Sequence, residues 1–120
     1  MESEEGKGAR VELDINTSRQ GSTVVVALAG DVDIHTAPQV AELFAGLLAE
    51  GCTAVVVDLG DVNFLDSSAL GILIAAQRDL AAAGGGLRLA AARPHVRKVF
   101  GITRLAEVIP VFDDVDTACA

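Results

Sequence analysis

Hydrophobic and polar positions alternate first at Val11, Leu13 and Ile15, separated by Glu12, Asp14 and Asn16, the period-two pattern of a half-exposed strand. Residues 17–22 hold Gly21 among polar side chains and predict a hairpin turn. Thr23-Val24-Val25-Val26-Ala27-Leu28-Ala29 predicts a second, more central strand, closed by Gly30-Asp31-Val32-Asp33. The period then changes. Val40, Leu43, Phe44, Leu47 and Leu48 recur at helical spacing and make one apolar stripe. Thr36 with Gln39 three residues on predicts a capping box; Pro38 sits in the first turn, where its missing N–H costs nothing, and Gly51 stops the helix.

Thr53 to Val57 is a short, largely β-branched run that reads as a buried strand. The acidic stretch Asp58 to Asp66 reads as a loop that delivers Ser67 and Ser68 to the start of a second helix, Ser67 to Ala83, ended by Gly84-Gly85-Gly86. Leu87 to Ala91 predicts a fourth strand. Pro94 opens a short helix through Phe100, with Val96, Val99 and Phe100 inward and Gly101 ending it. Val108-Ile109 predicts a last strand with Pro110 at its end, and Asp113 or Asp114 caps a final helical turn through Ala118. Residues 1–10, polar and glycine-containing, are expected to form a disordered tail. The order predicts one α/β domain over residues 11–118, a mixed sheet of about five strands with three to four helices, antiparallel at the first hairpin and parallel across the later crossovers.

The helix after the serines has two faces. With about 100° per residue, Ala69, Leu73, Ala76 and Leu80 share the core side. Ser67, Ser68, Gly71, Ala75, Arg78, Asp79 and Ala82 face the other way, with Ile74 at the edge. A glycine inside a helix costs roughly 1 kcal/mol against alanine, so Gly71 implies a close approach: a loop of the same chain, or a partner docking flat against Gly71 and Ala75. A helix start offers unpaired N–H groups and a partial positive charge, so a serine there tolerates phosphorylation. Asp66 either caps this helix or orients the Ser67 hydroxyl.

Composition narrows the function classes. The 120 residues are 51% hydrophobic with 3% aromatics, enough for an aliphatic core. Seventeen acids against nine Lys and Arg give a net charge of −8, so no direct nucleic-acid partner is expected; the acidic surface favours a protein partner with a basic face or simply keeps the domain soluble. No apolar run approaches the ~20 residues needed to cross a bilayer, and Met1-Glu2-Ser3-Glu4-Glu5-Gly6 is unlike a secretory signal, so a cytoplasmic, non-membrane protein is expected. Cys52 and Cys119 are too scattered for a metal site or disulfide framework and read as reduced thiols. His35 and His95 fall in no triad order, Ser67 lacks a Gly-x-Ser-x-Gly elbow, and Gly84-Gly85-Gly86 lacks a following Lys-Ser/Thr. No enzyme activity, cofactor or metal is expected.

The segment Asp58-Leu59-Gly60-Asp61-Val62-Asn63-Phe64-Leu65-Asp66-Ser67-Ser68-Ala69-Leu70-Gly71 resembles the phosphorylation segment of bacterial anti-sigma factor antagonists, members of the STAS domain superfamily. Gly30-Asp31-Val32-Asp33-Ile34 followed by Thr36-Ala37-Pro38 resembles their first strand-to-helix segment, and the element order agrees over about residues 11–118. The resemblance implies a STAS-type fold and a phosphoacceptor at Ser67, the serine directly after the Asp, with Ser68 beside it. Ala69 stands where a glycine is commoner. It also implies a partner switch: the unphosphorylated protein binds an anti-sigma factor and frees a sigma factor. That anti-sigma factor is itself a serine kinase that modifies Ser67, and a PP2C-type phosphatase reverses the modification. Asp31 and Asp33 then line the partner-facing end with Asp66, Ser68, Gly71, Ile74 and Ala75, and Arg78 could pair with an acidic group of the partner. The alternative within the superfamily is a regulatory or scaffold subunit of a stress-signalling or lipid-transport complex. The sequence leaves homodimer formation open.

Overall fold

The computed structural model describes residues 13–120. The expected tail over residues 1–10 and the strand start at Val11 lie outside the described residues. Strands β1 (Asp14–Gln20) and β2 (Thr23–Val32) form the first hairpin, with Gly21 and Ser22 alone at its tip. The expected turn at 17–22 is therefore mostly strand. Its polar side chains belong to an edge strand with water beside it, which alternation of apolar residues does not mark.

Helix α1 (Ala37–Ala49) carries the chain to β3 (Ala54–Leu65), and α2 (Ser67–Ala82) carries it on to β4 (Gly86–Ala90). Helix α3 (Pro94–Ile102), a 3₁₀ turn at Leu105–Glu107, β5 (Val111–Phe112) and α4 (Val115–Cys119) complete it. The five strands lie in chain order, β1 antiparallel to β2 and all later pairs parallel. This is the mixed α/β sheet that the element order predicts, with four α-helices among the described residues. The last strand falls at residues 111–112 instead of 108–109. Leu105 and Ile109 are both buried at helical spacing around the 3₁₀ turn, so that stretch packs as a turn.

Side chains alternate across the sheet. Val24, Val26 and Leu28 of β2, Val55, Val57 and Leu59 of β3, and Leu87 and Leu89 of β4 share one face with Val40 and Phe44 of α1 and Leu73 and Leu80 of α2. Val96 and Phe100 of α3 join this cluster. The opposite face is thinner: Val25, Val56 and Ala90 pack on Ala118 of α4, and Arg88 Nη1 donates to the Ala118 carbonyl at 2.7 Å.

The acidic stretch is the main departure. Residues 58–65 continue β3, paired with β2 as far as Val32↔Leu65, with register shifts that absorb the extra residues. A loop forms only at Asp66.

Candidate functional site

Because β2 and β3 run parallel and end together, their two exits lie side by side. The Asp66 amide donates to the Val32 carbonyl at 3.2 Å, and α2 begins at the next residue. One oxygen of the Asp66 carboxylate accepts from the Ala69 amide at 3.1 Å, which makes Asp66 the helix cap. The other accepts from the Ile34 amide at 3.1 Å. Both oxygens thus go to backbone amides, one on each exit, and this carboxylate staples the β2–α1 loop to the start of α2. Its role is capping and bridging, with no bond to the Ser67 hydroxyl among the described residues.

The β2–α1 loop is organised by its own side chains. Asp33 Oδ1 accepts from the His35 amide at 2.8 Å and the Thr36 amide at 3.1 Å. These two donors hold the Asp33 carboxyl below its ordinary value, the His35 amide first. The Thr36 hydroxyl donates to the Asp31 carbonyl at 2.9 Å and accepts from the Asp33 amide at 3.0 Å. Thr36 is therefore committed to the loop and makes no side-chain cap on α1, so the expected capping box does not form.

Ser67 is exposed on the first turn of α2 and Ser68 half-buried. Gly71 is exposed, and a Cβ placed on it would meet nothing within 4 Å among the described residues. No described loop of the chain packs on it, against that expectation. Ala75 is half-buried and Arg78 exposed, the latter 3.6 Å from its neighbour Asp79 in a solvated pair of little energetic weight. Asp31 is exposed and stands opposite Phe64 in the β2–β3 ladder. Along one side of Gly71 and Ala75, a shallow apolar groove of about 130 Å³ runs between α1 and α2, lined by Ala41, Phe44, Leu48, Ile72, Ala75 and Leu80.

Two residues were not legible as part of this face. Ile34 is 65% exposed and Phe64 52% exposed, each beside the Asp66 staple, and Ile74 at 42% lies two turns along α2 from Ser67. The signal for Phe64 was present. In Val62-Asn63-Phe64-Leu65 adjacent apolar residues cannot share one face of a strand, so one of Phe64 and Leu65 must point outward. For Ile34, the hydrophobic residue in a polar loop was the only mark.

Among the described residues no cluster of His, Cys, Asp and Glu could hold a metal ion, and no helix is long and apolar enough to cross a membrane. The face presents a hydroxyl, carboxylates and bare apolar side chains to whatever meets it, with no general base aimed at Ser67 among the described hydrogen bonds.

Residues 14–118 match the STAS domain family. The anti-sigma F factor antagonist of Paenibacillus polymyxa is 24% identical over 105 residues, which cover 87% of this chain and 90% of that one. A crystal structure of an anti-sigma factor antagonist from Mycobacterium paratuberculosis superimposes with a TM-score of 0.82 at 28% identity, covering 90% of this chain and 92% of that one. The Bacillus cell fate determinant SpoIIAA in its phosphorylated form aligns with a TM-score of 0.65 at 26% identity over 82% of this chain and 90% of that one.

Proposed function

The chain belongs to the STAS domain family, and on that premise we propose that it is an anti-sigma factor antagonist whose docking is switched by phosphorylation of Ser67. The observation that carries this reading is an exposed serine at the first position of an Asp66-capped helix, flanked by the bare side chains of Ile34 and Phe64. The partner is an anti-sigma factor with serine kinase activity. It needs an apolar patch to cover Ile34, Phe64 and Ile74, and basic groups to meet Asp31 and Asp33. Gly71 and Ala75 let its backbone lie flat against α2, and Ser68 and Arg78 complete the footprint.

The protein performs no catalysis in this scheme. Ser67 Oγ takes the γ-phosphoryl group of ATP on the kinase, forming a phosphate ester while ADP and the hydroxyl proton depart. A PP2C-type phosphatase returns the hydroxyl by hydrolysis to inorganic phosphate. The new group carries about −1.5 to −2 charges into a face that already holds three carboxylates. The start of α2 accommodates an anion, because its first amides have no partner within the helix. Binding is therefore lost through repulsion and steric clash in the interface, with the fold intact. In this proposal the protein works in the bacterial cytoplasm, as a single domain over residues 11–118.

Incubation with a candidate anti-sigma factor kinase from the same genome and ATP, followed by intact mass measurement, tests the acceptor. The wild type and Ser68→Ala gain one phosphoryl group, and Ser67→Ala gains none. Incorporation into Ser67→Ala contradicts the Ser67 assignment and moves the acceptor to Ser68 or elsewhere; none into any form with every such kinase contradicts the whole reading and favours a scaffold role in a larger complex.

A further inference from the structure

Strand β3 outlasts its neighbour. The β3–β4 ladder ends at Asp58↔Ala90, whereas β3 continues to Leu65 paired with β2 alone. From Gly60 onward its other edge would present unpaired backbone groups. Two side chains from the start of α3 meet that edge. Arg93 Nε donates to the Gly60 carbonyl at 3.0 Å, and the His95 ring nitrogen Nε2 lies 2.7 Å from the Asn63 carbonyl. A carbonyl only accepts, so Nε2 carries the proton in this contact. The guanidinium also donates to Asn63 Oδ1 and lies 3.9 Å from Asp61 Oδ1.

Both donors come from a stiff support. Arg93 is extended at φ −64° and ψ 155°, the conformation that a following proline favours, and Pro94 opens α3. Helix α3 is anchored in turn by Val96 and Phe100, both buried in the main core. Of the clamped residues, Asn63 directly precedes Phe64, and Gly60 lies earlier on the same strand segment that leads to Asp66 and Ser67.

We propose that Arg93 and His95 are positioning residues for the docking face, a side-chain clamp that takes the place of the missing strand and fixes the register of Phe64 and Ser67. A guanidinium suits this work, because its fork can satisfy a backbone carbonyl and a side-chain amide oxygen together. An unclamped edge leaves the end of β3 held on one side only, and a partner would then have to order it on binding. The consequence for docking rests on the anti-sigma factor reading; the clamp itself does not.

Amide hydrogen exchange on the intact protein separates the two. In Arg93→Ala and His95→Ala, the amides of residues 62–65 are expected to exchange about tenfold faster, the loss that one hydrogen bond implies. Those of Val55, Val56 and Val57 stay unchanged. Arg93→Lys recovers part of the protection, since one ammonium cannot span both acceptors. With the kinase used for the Ser67 assay, Arg93→Ala binds about five- to tenfold more weakly. Exchange that is unaltered at residues 62–65, or raised evenly through the sheet, overturns the clamp. Faster local exchange with undiminished binding overturns its positioning role. If wild type binds no such kinase, the functional reading falls, and exchange still decides the clamp.

Discussion

Gly71 is the residue whose chemistry makes least sense for the isolated chain. It sits inside α2 with nothing within 4 Å of where a Cβ would stand among the described residues, which give no steric reason for a glycine. Gly71→Ala is expected to stabilise the protein by about 0.5–1 kcal/mol, seen as a higher denaturation midpoint. The same change weakens docking, and Gly71→Arg abolishes it. A destabilised Gly71→Ala would show that the chain itself packs there, and Gly71→Arg that binds normally would show that no partner approaches. Asp66 shows the opposite economy. Its two oxygens join two elements through the Ala69 and Ile34 amides, a role invisible in a sequence in which Ile34 lies 32 residues away.

At the scale of elements, the turn from α2 into β4 is fixed by a steric demand. A Cβ on Gly85 would stand 2.0 Å from the Thr53 carbonyl oxygen, and Gly84 has φ +94°. Gly85→Ala should destabilise the protein by about 1–3 kcal/mol, measured by thermal or denaturant unfolding; an unchanged midpoint would contradict this packing. The glycine run was legible as a helix stop, but not that Thr53 crosses directly over it. Most elements could be read for the reason that Val24, Val26 and Leu28, or Leu73, Ala76 and Leu80, bury one face at a regular period. The end of β3 could not. Its buried residues, Leu59, Val62 and Leu65, are spaced by three because the ladder with β2 shifts register twice, and one of its edges is met by side chains instead of a strand. Thr36 failed as a cap for a related reason, since its hydroxyl already bridges Asp31 and Asp33. The strand before Asp66-Ser67-Ser68 and the helix start at Ser67 were legible in the sequence; the acceptor role of Ser67 belongs to the proposed reading. The apolar partners Ile34 and Phe64 emerged only once the two strand exits stood side by side.

For the whole molecule, three helices are committed to one face of the sheet and the short α4 to the other, so the exits of β2 and β3 with the outer face of α2 remain available. A net charge of −8 keeps the protein soluble and steers it toward basic surfaces, and adding a phosphate strengthens that character without touching the core. On the proposed reading the sheet acts as a mount, and a single surface hydroxyl sets the affinity. The decisive measurement is calorimetric titration of the anti-sigma factor kinase with the protein before and after quantitative phosphorylation at Ser67. The account predicts tight binding for the hydroxyl form and at least a hundredfold loss for the phosphoserine form, about 2.7 kcal/mol; equal affinities would contradict it.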